Sequence, residues 1–315
     1  MKLVIQIPCY NEEKSLPVVL NALPKSIAGI DEIDVVIVDD GSSDKTIEVA
    51  KEFGVKHFAC LSQNKGLAKA FVAGLEKSLS IGADIIVNTD ADNQYCSDDI
   101  EKLIQPILKS EADIVIGTRP VEKMKQFSLL KKFLQKLGSG VMRLVSSTTV
   151  EDAPSGFRAF SRHAALQLNV FDNYTYTLET IIQARAKDLQ ITCVPIRVNP
   201  DLRKSRLVRS MFDYIRRSIF TMLRMFIVYR PFRFFITLAS VLLFLGIIIG
   251  ARFLWYYMSG AGNGHVQSLI LAAILLLSGI QIALIAVLSD LISINRKLLE
   301  DVQRRMKLLD LKNNQ

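Results

Sequence analysis

Apolar and polar residues alternate along the first 200 positions in a pattern that predicts strands and helices in turn. Short apolar runs have the length and composition of buried strands, and segments with helical spacing lie between them. Strands that alternate with helices indicate an α/β fold with a mainly parallel, doubly wound sheet. The strand-like runs are LVIQIP (3–8), DVVIVDD (34–40), KHFACL (56–61), DIIVNTD (84–90), DIVIGT (113–118) and ITCVPIRV (191–198).

Two longer apolar runs near the C-terminus predict membrane-spanning helices. Residues 234–251 and 266–288 carry no charged side chain, and each is about as long as the roughly 20 residues that cross hydrocarbon. The segment between them carries Trp255, Tyr256 and Tyr257, which suit the headgroup level of a membrane. We therefore predict a hairpin of two spans, at about 234–257 and 266–288.

Composition and charge support a membrane protein and indicate its orientation. Half of the 315 residues are apolar, and the mean hydropathy is +0.27. Residues 200–233 contain nine Lys or Arg and two Asp, an excess of seven positive charges in a chain whose net charge is +8. Because basic residues accumulate on the cytoplasmic side of spans, this flank and the basic tail predict that the N-terminal domain and both termini face the cytoplasm. The basic residues alternate with apolar ones beside a span, which favours anionic membrane lipid over nucleic acid as the partner.

The pattern divides the chain into four parts. Residues 1–205 form the α/β domain, 206–233 an amphipathic juxtamembrane segment, 234–290 the hairpin and 291–315 a cytoplasmic C-terminal helix. The last part has a helical apolar stripe that either pairs subunits into a homo-oligomer or lies on lipid. Its members are Leu291, Ile294, Leu298, Val302 and Leu309.

A second basic segment, residues 121–137, carries five lysines among apolar residues. It has the composition of a helix on the membrane surface. A solvated basic helix packed on the sheet has the same composition, and the sequence leaves both interpretations open.

Polar residues follow three of the predicted strands, where each strand ends. Ligands of such sheets bind beyond the carboxyl ends of the strands, so the three acidic clusters should converge on one cleft. Asp90, Asp92 and Gln94 lie within five positions, and paired carboxylates suit Mg²⁺ or Mn²⁺. A plain strand-to-turn boundary is the alternative, because Asp and Asn are common in turns.

Two further features point to a nucleotide. Asp39 or Asp40, just after a strand, would accept hydrogen bonds from a ribose or base. Lys65 and Gly66 open a helix, where backbone amides and a cation can meet a phosphate.

In this order, IPCYNEE, VDDGSSDKT, NKGLAKAFVAG, DADNQ, GTR and DAPSGFRAF resemble the inverting family 2 glycosyltransferases of the dolichyl-phosphate-mannose synthase and polyprenyl-phosphate glycosyltransferase type. The resemblance covers about the first 200 residues and implies the GT-A fold. It also implies a nucleotide-sugar donor, a divalent metal at the DxD-like motif and a lipid phosphate acceptor.

The resemblance also assigns residues to roles. The nucleotide would contact Pro8, Tyr10, Glu12 and Asp39, and the metal and diphosphate would lie at Asp90 and Asp92 with Gln94 beside them. Arg119 would meet the acceptor phosphate, which makes Asp92, Asp90 and Arg119 the expected catalytic residues. The sugar pocket would be lined by Asp152, Ser155, Gly156, Phe157 and Arg158.

The chain departs from the family pattern after the last predicted strand. Many members have Arg-x-x-Gly-x-Ser-Lys there, whereas this chain has PDLRKSR and keeps only Ser205 of that stretch. The cation that completes the acceptor-phosphate site therefore stays open, and the candidates are Lys131, Lys132, Arg203 and Arg206.

The sequence thus predicts transfer of a sugar from a UDP- or GDP-linked donor to an undecaprenyl or dolichyl phosphate, with inversion. One alternative is a processive polysaccharide synthase, which usually carries a Gln-x-x-Arg-Trp motif, whereas the single tryptophan here is Trp255 between the spans. A non-catalytic protein that binds nucleotide-sugar or lipid is the other. No motif specifies which sugar is transferred.

Overall fold

A sheet of seven strands forms the centre of the N-terminal domain. The computed structural model describes residues 1–120, 150, 152–170, 176–200, 216, 220, 223–224, 227–260 and 264–313. Within these residues the strands are β1 Lys2–Cys9, β2 Glu32–Asp39, β3 His57–Cys60, β4 Ile85–Asn88, β5 Ile114–Thr118, β6 Arg158–Ser161 and β7 Ile191–Pro195. Their order across the sheet is β3-β2-β1-β4-β6-β5-β7.

Most neighbouring strands are parallel, which confirms the predicted α/β sheet. β1 pairs in parallel with β2 and β4, β2 with β3, and β5 with β7. All six predicted runs form strands. The sequence analysis did not predict β6, which lies antiparallel between β4 and β5. It has only four residues and begins with a charged side chain, Arg158, so it lacks the apolar pattern of a buried strand.

Helices pack on the sheet, and two long helices form the C-terminal part of the chain. The helix α3, Leu67–Ser80, shows how the packing arises, because Phe71, Leu75 and Leu79 recur at four-residue spacing and are all buried. A 3₁₀ turn, Ser97–Asp99, precedes one of these helices. The helices are α1 Leu16–Ala22, α2 Thr46–Glu52, α3 Leu67–Ser80, α4 Ile100–Leu108, α5 Arg162–Gln167, α6 Thr177–Ala186, α7 Pro231–Met258 and α8 Val266–Asn313.

The helices α7 and α8 are long and apolar enough to cross a membrane, judged by length and composition. Only 11% and 17% of their most apolar windows are buried within the protein, so they are not core helices of a water-soluble fold. Gly246 of α7 packs closely against Leu276 of α8, and Gly279 of α8 packs closely against Leu243 of α7. The predicted two-helix hairpin is therefore present, and it supports membrane association.

Among the predicted boundaries, the one at residue 290 can be compared with the structure. The division at residue 290 does not coincide with a helix end, because α8 continues as one helix of 48 residues to Asn313. The chain divides into two compact units. One comprises Met1–Met222 and Gln303–Gln315, and the other comprises Leu223–Val302. The boundary at 205, the segment 121–137 and most of the juxtamembrane segment 206–233 fall outside the described residues and stay predictions.

Candidate active site

The turns after β1, β2 and β4 meet at one edge of the sheet. The strand register places Cys9 beside Asp39 and Gln6 beside Asn88, so all three strands end on the same side. The amide of Asp40 donates to the Cys9 carbonyl at 2.9 Å. The three acidic clusters of the sequence therefore converge on one cleft, as predicted.

Hydrogen bonds from backbone amides to side-chain hydroxyls connect the turn after β1 to the turn after β2 and the start of α2. The Asn11 amide donates to Ser42 Oγ at 2.9 Å, and the Glu12 amide donates to Thr46 Oγ1 at 2.9 Å. Tyr10 projects from this pair of turns with 41% of its surface exposed. Tyr10 directly follows Cys9, the strand partner of Asp39, and an exposed aromatic ring there is suited to contact a nucleotide base or ribose.

The two adjacent aspartates after β2 have different surroundings. Asp40 Oδ1 accepts the Lys65 amide at 2.7 Å, and Oδ2 accepts the Gly66 amide at 2.9 Å. The Asp39 carboxylate accepts only the nearby Ser42 amide, at 3.2 and 3.3 Å, among the described residues. Asp40 therefore anchors the loop before α3, and Asp39 is the better candidate for contact with the nucleotide.

This loop differs from the sequence-based expectation for Lys65 and Gly66. Their amides already donate to the Asp40 carboxylate, so they are not available to a phosphate in this arrangement. Gly41 is needed for the same contact between loops. Its φ is +72°, and a Cβ there would lie 2.6 Å from the Gln63 carbonyl carbon, a space that only glycine leaves open.

Asp90 and Asp92 lie in a turn beyond the end of β4 rather than on an extended strand. The strand ends at Asn88, and Asn93 has a left-handed φ of 59° that reverses the chain. Asp92 Oδ1 accepts the Gln94 amide at 3.0 Å. The turn thus places both carboxylates beyond the end of β4, where each is partly exposed.

The Asp90 carboxylate has a strongly shifted pKa. Desolvation and the neighbouring Asp92 carboxylate raise the pKa of Asp90 to about 7, against the opposing charge of Arg119. A divalent cation between the carboxylates would relieve this repulsion.

The donor set suits Mg²⁺ or Mn²⁺. Carboxylate oxygens are their preferred protein ligands, and one or two carboxylates plus substrate phosphates are sufficient. The described residues contain no cluster of three or more His, Cys, Asp or Glu that could hold a metal alone. The residues present therefore fit a cation that shares its coordination with a bound diphosphate.

Arg119 is held by Asp152 instead of standing free at the cleft edge. Its Nε donates to Asp152 Oδ2 at 2.7 Å, its Nη2 donates to Oδ1 at 2.9 Å, and only 10% of the side chain is exposed. Burial alone would lower the pKa of the guanidinium, but the Asp152 charge outweighs it and the net shift is upward. The Nη1 group lies 3.5 Å from Gln94 Oε1, so the third nitrogen of the arginine points toward the metal loop.

The loop 152–158, which the sequence assigned to the sugar pocket, has several separate roles in the structure. The Asp152 carboxylate binds Arg119, and Gly156 lies against Asp90. Phe157 is fully buried and stacks on Tyr95, with 5.0 Å between ring centroids. Ser155 is also fully buried. Of this group, Gly156 has the clearest position beside the cleft.

Arg158 is a scaffold residue and has no exposed surface. Its guanidinium donates to the carbonyls of Ser155, Ala153 and Thr177 at 2.8, 2.6 and 2.8 Å. It also donates to Thr180 Oγ1 at 2.7 Å. Because backbone carbonyls take these donors, Arg158 shapes the loop and the start of α6, and direct contact with a sugar is excluded in this conformation.

Sequence reasoning missed a buried polar group beneath the carboxylates. Gln6 donates to Asn88 at 2.8 Å, and Asn88 donates to the Gly156 carbonyl at 2.9 Å and to the Tyr176 hydroxyl at 2.8 Å. Tyr95 completes the group from the other side of Gly156. The available signal was a polar residue inside two apolar strands, Gln6 in β1 and Asn88 in β4.

The remaining acceptor-site candidates lie outside the described residues. They are Lys131, Lys132, Arg203, Ser205 and Arg206. Their roles stay predictions.

Comparison with known proteins identifies relatives of this chain. A family model described as glycosyl transferase family 2 matches residues 4–168. The UDP-N-acetylglucosamine–dolichyl-phosphate N-acetylglucosaminyltransferase of Methanococcus voltae is 36% identical over 217 residues, 61% of this chain and 83% of that protein. The dolichol-phosphate mannosyltransferase of Pyrococcus furiosus is 28% identical over 270 residues, 82% of this chain and 73% of that protein.

Solved structures share the fold at lower identity. Glucosyl-3-phosphoglycerate synthase from Mycobacterium tuberculosis, with Mn²⁺, UDP-glucose and phosphoglyceric acid, superposes with a TM-score of 0.57 and 20% identity, covering 71% of this chain and 79% of that one. The same enzyme with Mg²⁺ and UDP gives 0.53 and 19%, with 71% and 79% coverage. The likeness confirms the predicted GT-A fold. Because the family model spans more than half of the 315 residues, the chain belongs to glycosyl transferase family 2 and is a glycosyltransferase.

Proposed function

We propose that this glycosyltransferase moves a sugar from a nucleoside diphosphate to a polyprenyl phosphate, with inversion at the anomeric carbon, at the cytoplasmic face of a membrane. The observation that carries the proposal is the carboxylate pair Asp90 and Asp92 beside the buried Arg119, in a chain that also has a long apolar hairpin. Relatives named for dolichyl-phosphate and undecaprenyl-phosphate acceptors support the lipid acceptor.

The donor occupies the nucleotide side of the cleft. Asp39 and the exposed Tyr10 contact the nucleoside, and Asp40 maintains the loop that closes this side. Asp90 and Asp92 would hold Mg²⁺ or Mn²⁺, which stabilises the charge that develops on the departing nucleoside diphosphate.

The acceptor phosphate needs positioning more than it needs a base. A phosphomonoester has a second pKa near 6 and is largely dianionic at pH 7, so its oxygen can attack without a strong proton acceptor. Asp152 occupies Nε and one N–H of Nη2, and Nη1 lies 3.5 Å from Gln94 Oε1. The second N–H groups of Nη1 and Nη2 hold the acceptor phosphate in line with the sugar. The hairpin keeps the protein in the membrane that contains the lipid.

The test is a transfer assay with purified full-length protein in detergent. Undecaprenyl phosphate and dolichyl phosphate are each incubated with UDP-N-acetylglucosamine, UDP-glucose or GDP-mannose and Mn²⁺, and lipid products are identified by mass spectrometry. We expect one donor to give a polyprenyl-phosphate sugar whose anomeric configuration is opposite to that of the donor.

Two controls connect the assay to the site. Asp92→Asn and addition of EDTA should each abolish most turnover, while the far-UV circular dichroism of the variant matches the wild type. Full activity in EDTA would refute the metal role. Polymeric product would instead support a processive synthase, and absence of lipid product with every donor would refute the proposed acceptor.

A further inference from the structure

The metal loop, residues 90–95, is paired with the segment of chain that follows β7. Val198 forms an antiparallel bridge with Tyr95. The backbone amide of Asn199 donates to the Gln94 carbonyl at 2.8 Å. Asn199 and Tyr95 are 104 residues apart in sequence, so this pairing is a product of the fold and not of a local turn.

The side chain of Asn199 adds to the backbone pairing. Its Nδ2 group donates to the Asn93 carbonyl at 3.1 Å and to the Tyr95 carbonyl at 3.2 Å, and it lies 3.4 Å from Asn93 Oδ1. A primary amide has two N–H groups, so one side chain can satisfy both carbonyls. With its backbone amide on Gln94, Asn199 therefore bonds to the carbonyls of three consecutive residues of the metal loop.

These carbonyls belong to the part of the loop that reverses the chain. Asn93 has a φ of 59°, a conformation that costs free energy and persists where the surroundings hold it. The Gln94 amide donates to Asp92 Oδ1 at 3.0 Å, and Gln94 Oε1 lies 3.5 Å from Arg119 Nη1. Donors that fix the backbone of residues 93–95 therefore also fix the turn on which the Asp92 carboxylate rests.

We propose that Asn199 is a positioning residue that holds the metal loop in the shape that binds a divalent cation. The inference rests on the proposed function, because it takes Asp90 and Asp92 as the residues that hold Mg²⁺ or Mn²⁺ with the donor diphosphate. Groups that orient metal ligands from outside the ligand set commonly change metal affinity by about 10- to 100-fold when removed. The coupling is reciprocal, so cation binding should also order residues 196–199, which precede the basic juxtamembrane residues in sequence.

The test measures cation binding directly. Full-length protein in detergent, with saturating UDP, is titrated with Mn²⁺, and free Mn²⁺ is followed by electron paramagnetic resonance. Asn199→Ala removes the Nδ2 donor and keeps the backbone amide, and we expect its Kd for Mn²⁺ to rise by about tenfold. Asn199→Ser, whose hydroxyl is too short to reach both carbonyls, should show the same change and serves as the second variant if Asn199→Ala does not fold.

Arg197→Ala is the matched control, because it truncates a side chain of the same segment that contacts a different element. Its guanidinium donates to Asp99 Oδ1 from Nε at 3.1 Å and from Nη2 at 2.9 Å, and Asp99 lies in the 3₁₀ turn after the metal loop. We expect a loss of Tm at least as large as that of Asn199→Ala, because a buried carboxylate loses its partner. The Kd for Mn²⁺ should stay within about threefold of wild type, because this partly exposed pair does not touch the loop.

Hydrogen exchange gives a readout that loss of stability alone would not produce. In the wild type, Mn²⁺ with UDP should slow exchange in the peptide that contains residues 196–199, because the Asn199 amide bonds to the metal loop. The same ligands should slow exchange of this peptide less in Asn199→Ala. Arg197→Ala should keep the ligand-dependent protection of the wild type.

The outcomes separate this inference from the proposed function. Wild-type Mn²⁺ affinity in Asn199→Ala, or equal weakening in Asn199→Ala and Arg197→Ala, would overturn the positioning role. A wild-type protein that binds no Mn²⁺ would overturn it together with the metal role of Asp90 and Asp92. Mn²⁺ binding by the wild type without any lipid product would refute only the proposed acceptor, and the Kd values of the variants would still decide the role of Asn199.

Discussion

Arg119 combines an ion pair to Asp152 with an Nη1 group that lies 3.5 Å from Gln94 Oε1 in the metal loop. Lysine keeps the charge but cannot bond to Asp152 with Nε and Nη2 and still present donors to a phosphate. Loss of one charge-assisted contact to a reacting phosphate costs about 2–4 kcal/mol in the transition state. We therefore predict that Arg119→Lys lowers transfer to polyprenyl phosphate by roughly a hundredfold, while donor affinity measured by calorimetry stays near wild type.

The chain offers a matched control for this substitution. Arg197 also bonds to an aspartate with Nε and Nη2, Asp99 at 3.1 and 2.9 Å, but its side chain is 57% exposed. Arg197→Lys should change transfer by less than about threefold. A large loss of donor affinity in Arg119→Lys would instead place Arg119 at the donor and contradict the acceptor role.

Asp90 makes the stability of the metal-free protein depend on pH. Its pKa is about 7 in the folded protein and about 3.9 in an unfolded chain. Between these values only the folded state keeps the proton, so the free energy of unfolding should fall as pH rises from about 4 to 7 and level off above that. In EDTA, we expect the Tm of wild type to drop more between pH 5.5 and 7.5 than the Tm of Asp90→Asn. Parallel Tm curves for the two proteins would show that Asp90 titrates elsewhere.

At the scale of elements, the hairpin is held by close approach of α7 and α8. A Cβ at Gly279 would lie 2.7 Å from Leu243 Cγ, and one at Gly246 would lie 2.9 Å from Leu276 Cγ. Gly250 lies in the same hairpin, but its nearest neighbour would be the Ala272 Cβ at an ordinary 3.8 Å. Small residues at such crossings let the helices pack through van der Waals contact, which is a main source of stability between spans.

Alanine substitutions at the three glycines should have different effects on the stability of the hairpin. Gly279→Ala and Gly246→Ala should destabilise the hairpin by about 1–3 kcal/mol, because the leucines must move. Gly250→Ala should be neutral or slightly stabilising, because alanine also favours the helix. The difference in stability is measured by heating each variant in detergent and quantifying the protein that stays in solution. An equal effect at all three positions would show that the close approach is not what stabilises the pair.

At the scale of the whole molecule, charge predicts how the chain lies in a membrane. The excess of basic residues before the first span and after the second predicts that both flanks lie in the cytoplasm. We replace the four free cysteines and introduce one cysteine, either Ser259→Cys between the spans or Lys312→Cys in the tail. In sealed right-side-out vesicles, a membrane-impermeant maleimide should label Ser259→Cys at once and Lys312→Cys only after permeabilisation. The opposite pattern would invert the orientation, and labelling of both sites from outside would contradict a hairpin.

Local patterns were sufficient for much of this protein. The six parallel-type strands, the acidic residues at their carboxyl ends and the two apolar spans were predictable, because each depends on residues adjacent in sequence and on the periodicity of one element. The position of Asp90 and Asp92 at a strand end also followed from sequence. Their proximity, however, comes from a turn with Asn93 at positive φ and not from an extended strand.

Only the tertiary structure decided which side chains meet. Arg119 and Asp152 are 33 residues apart, and Tyr95 and Gly156 are 61 apart, so their pairing depends on how β6 inserts antiparallel between β4 and β5. Nothing in the four residues of β6 indicates that position. The same holds for Asp40, whose partners lie 25 and 26 residues away in the loop before α3. Sequence determined the strands and the chemistry at their ends, because those depend on local composition. The three-dimensional register determined which of those groups hold the others in place, because hydrogen-bond partners are set by distance in space.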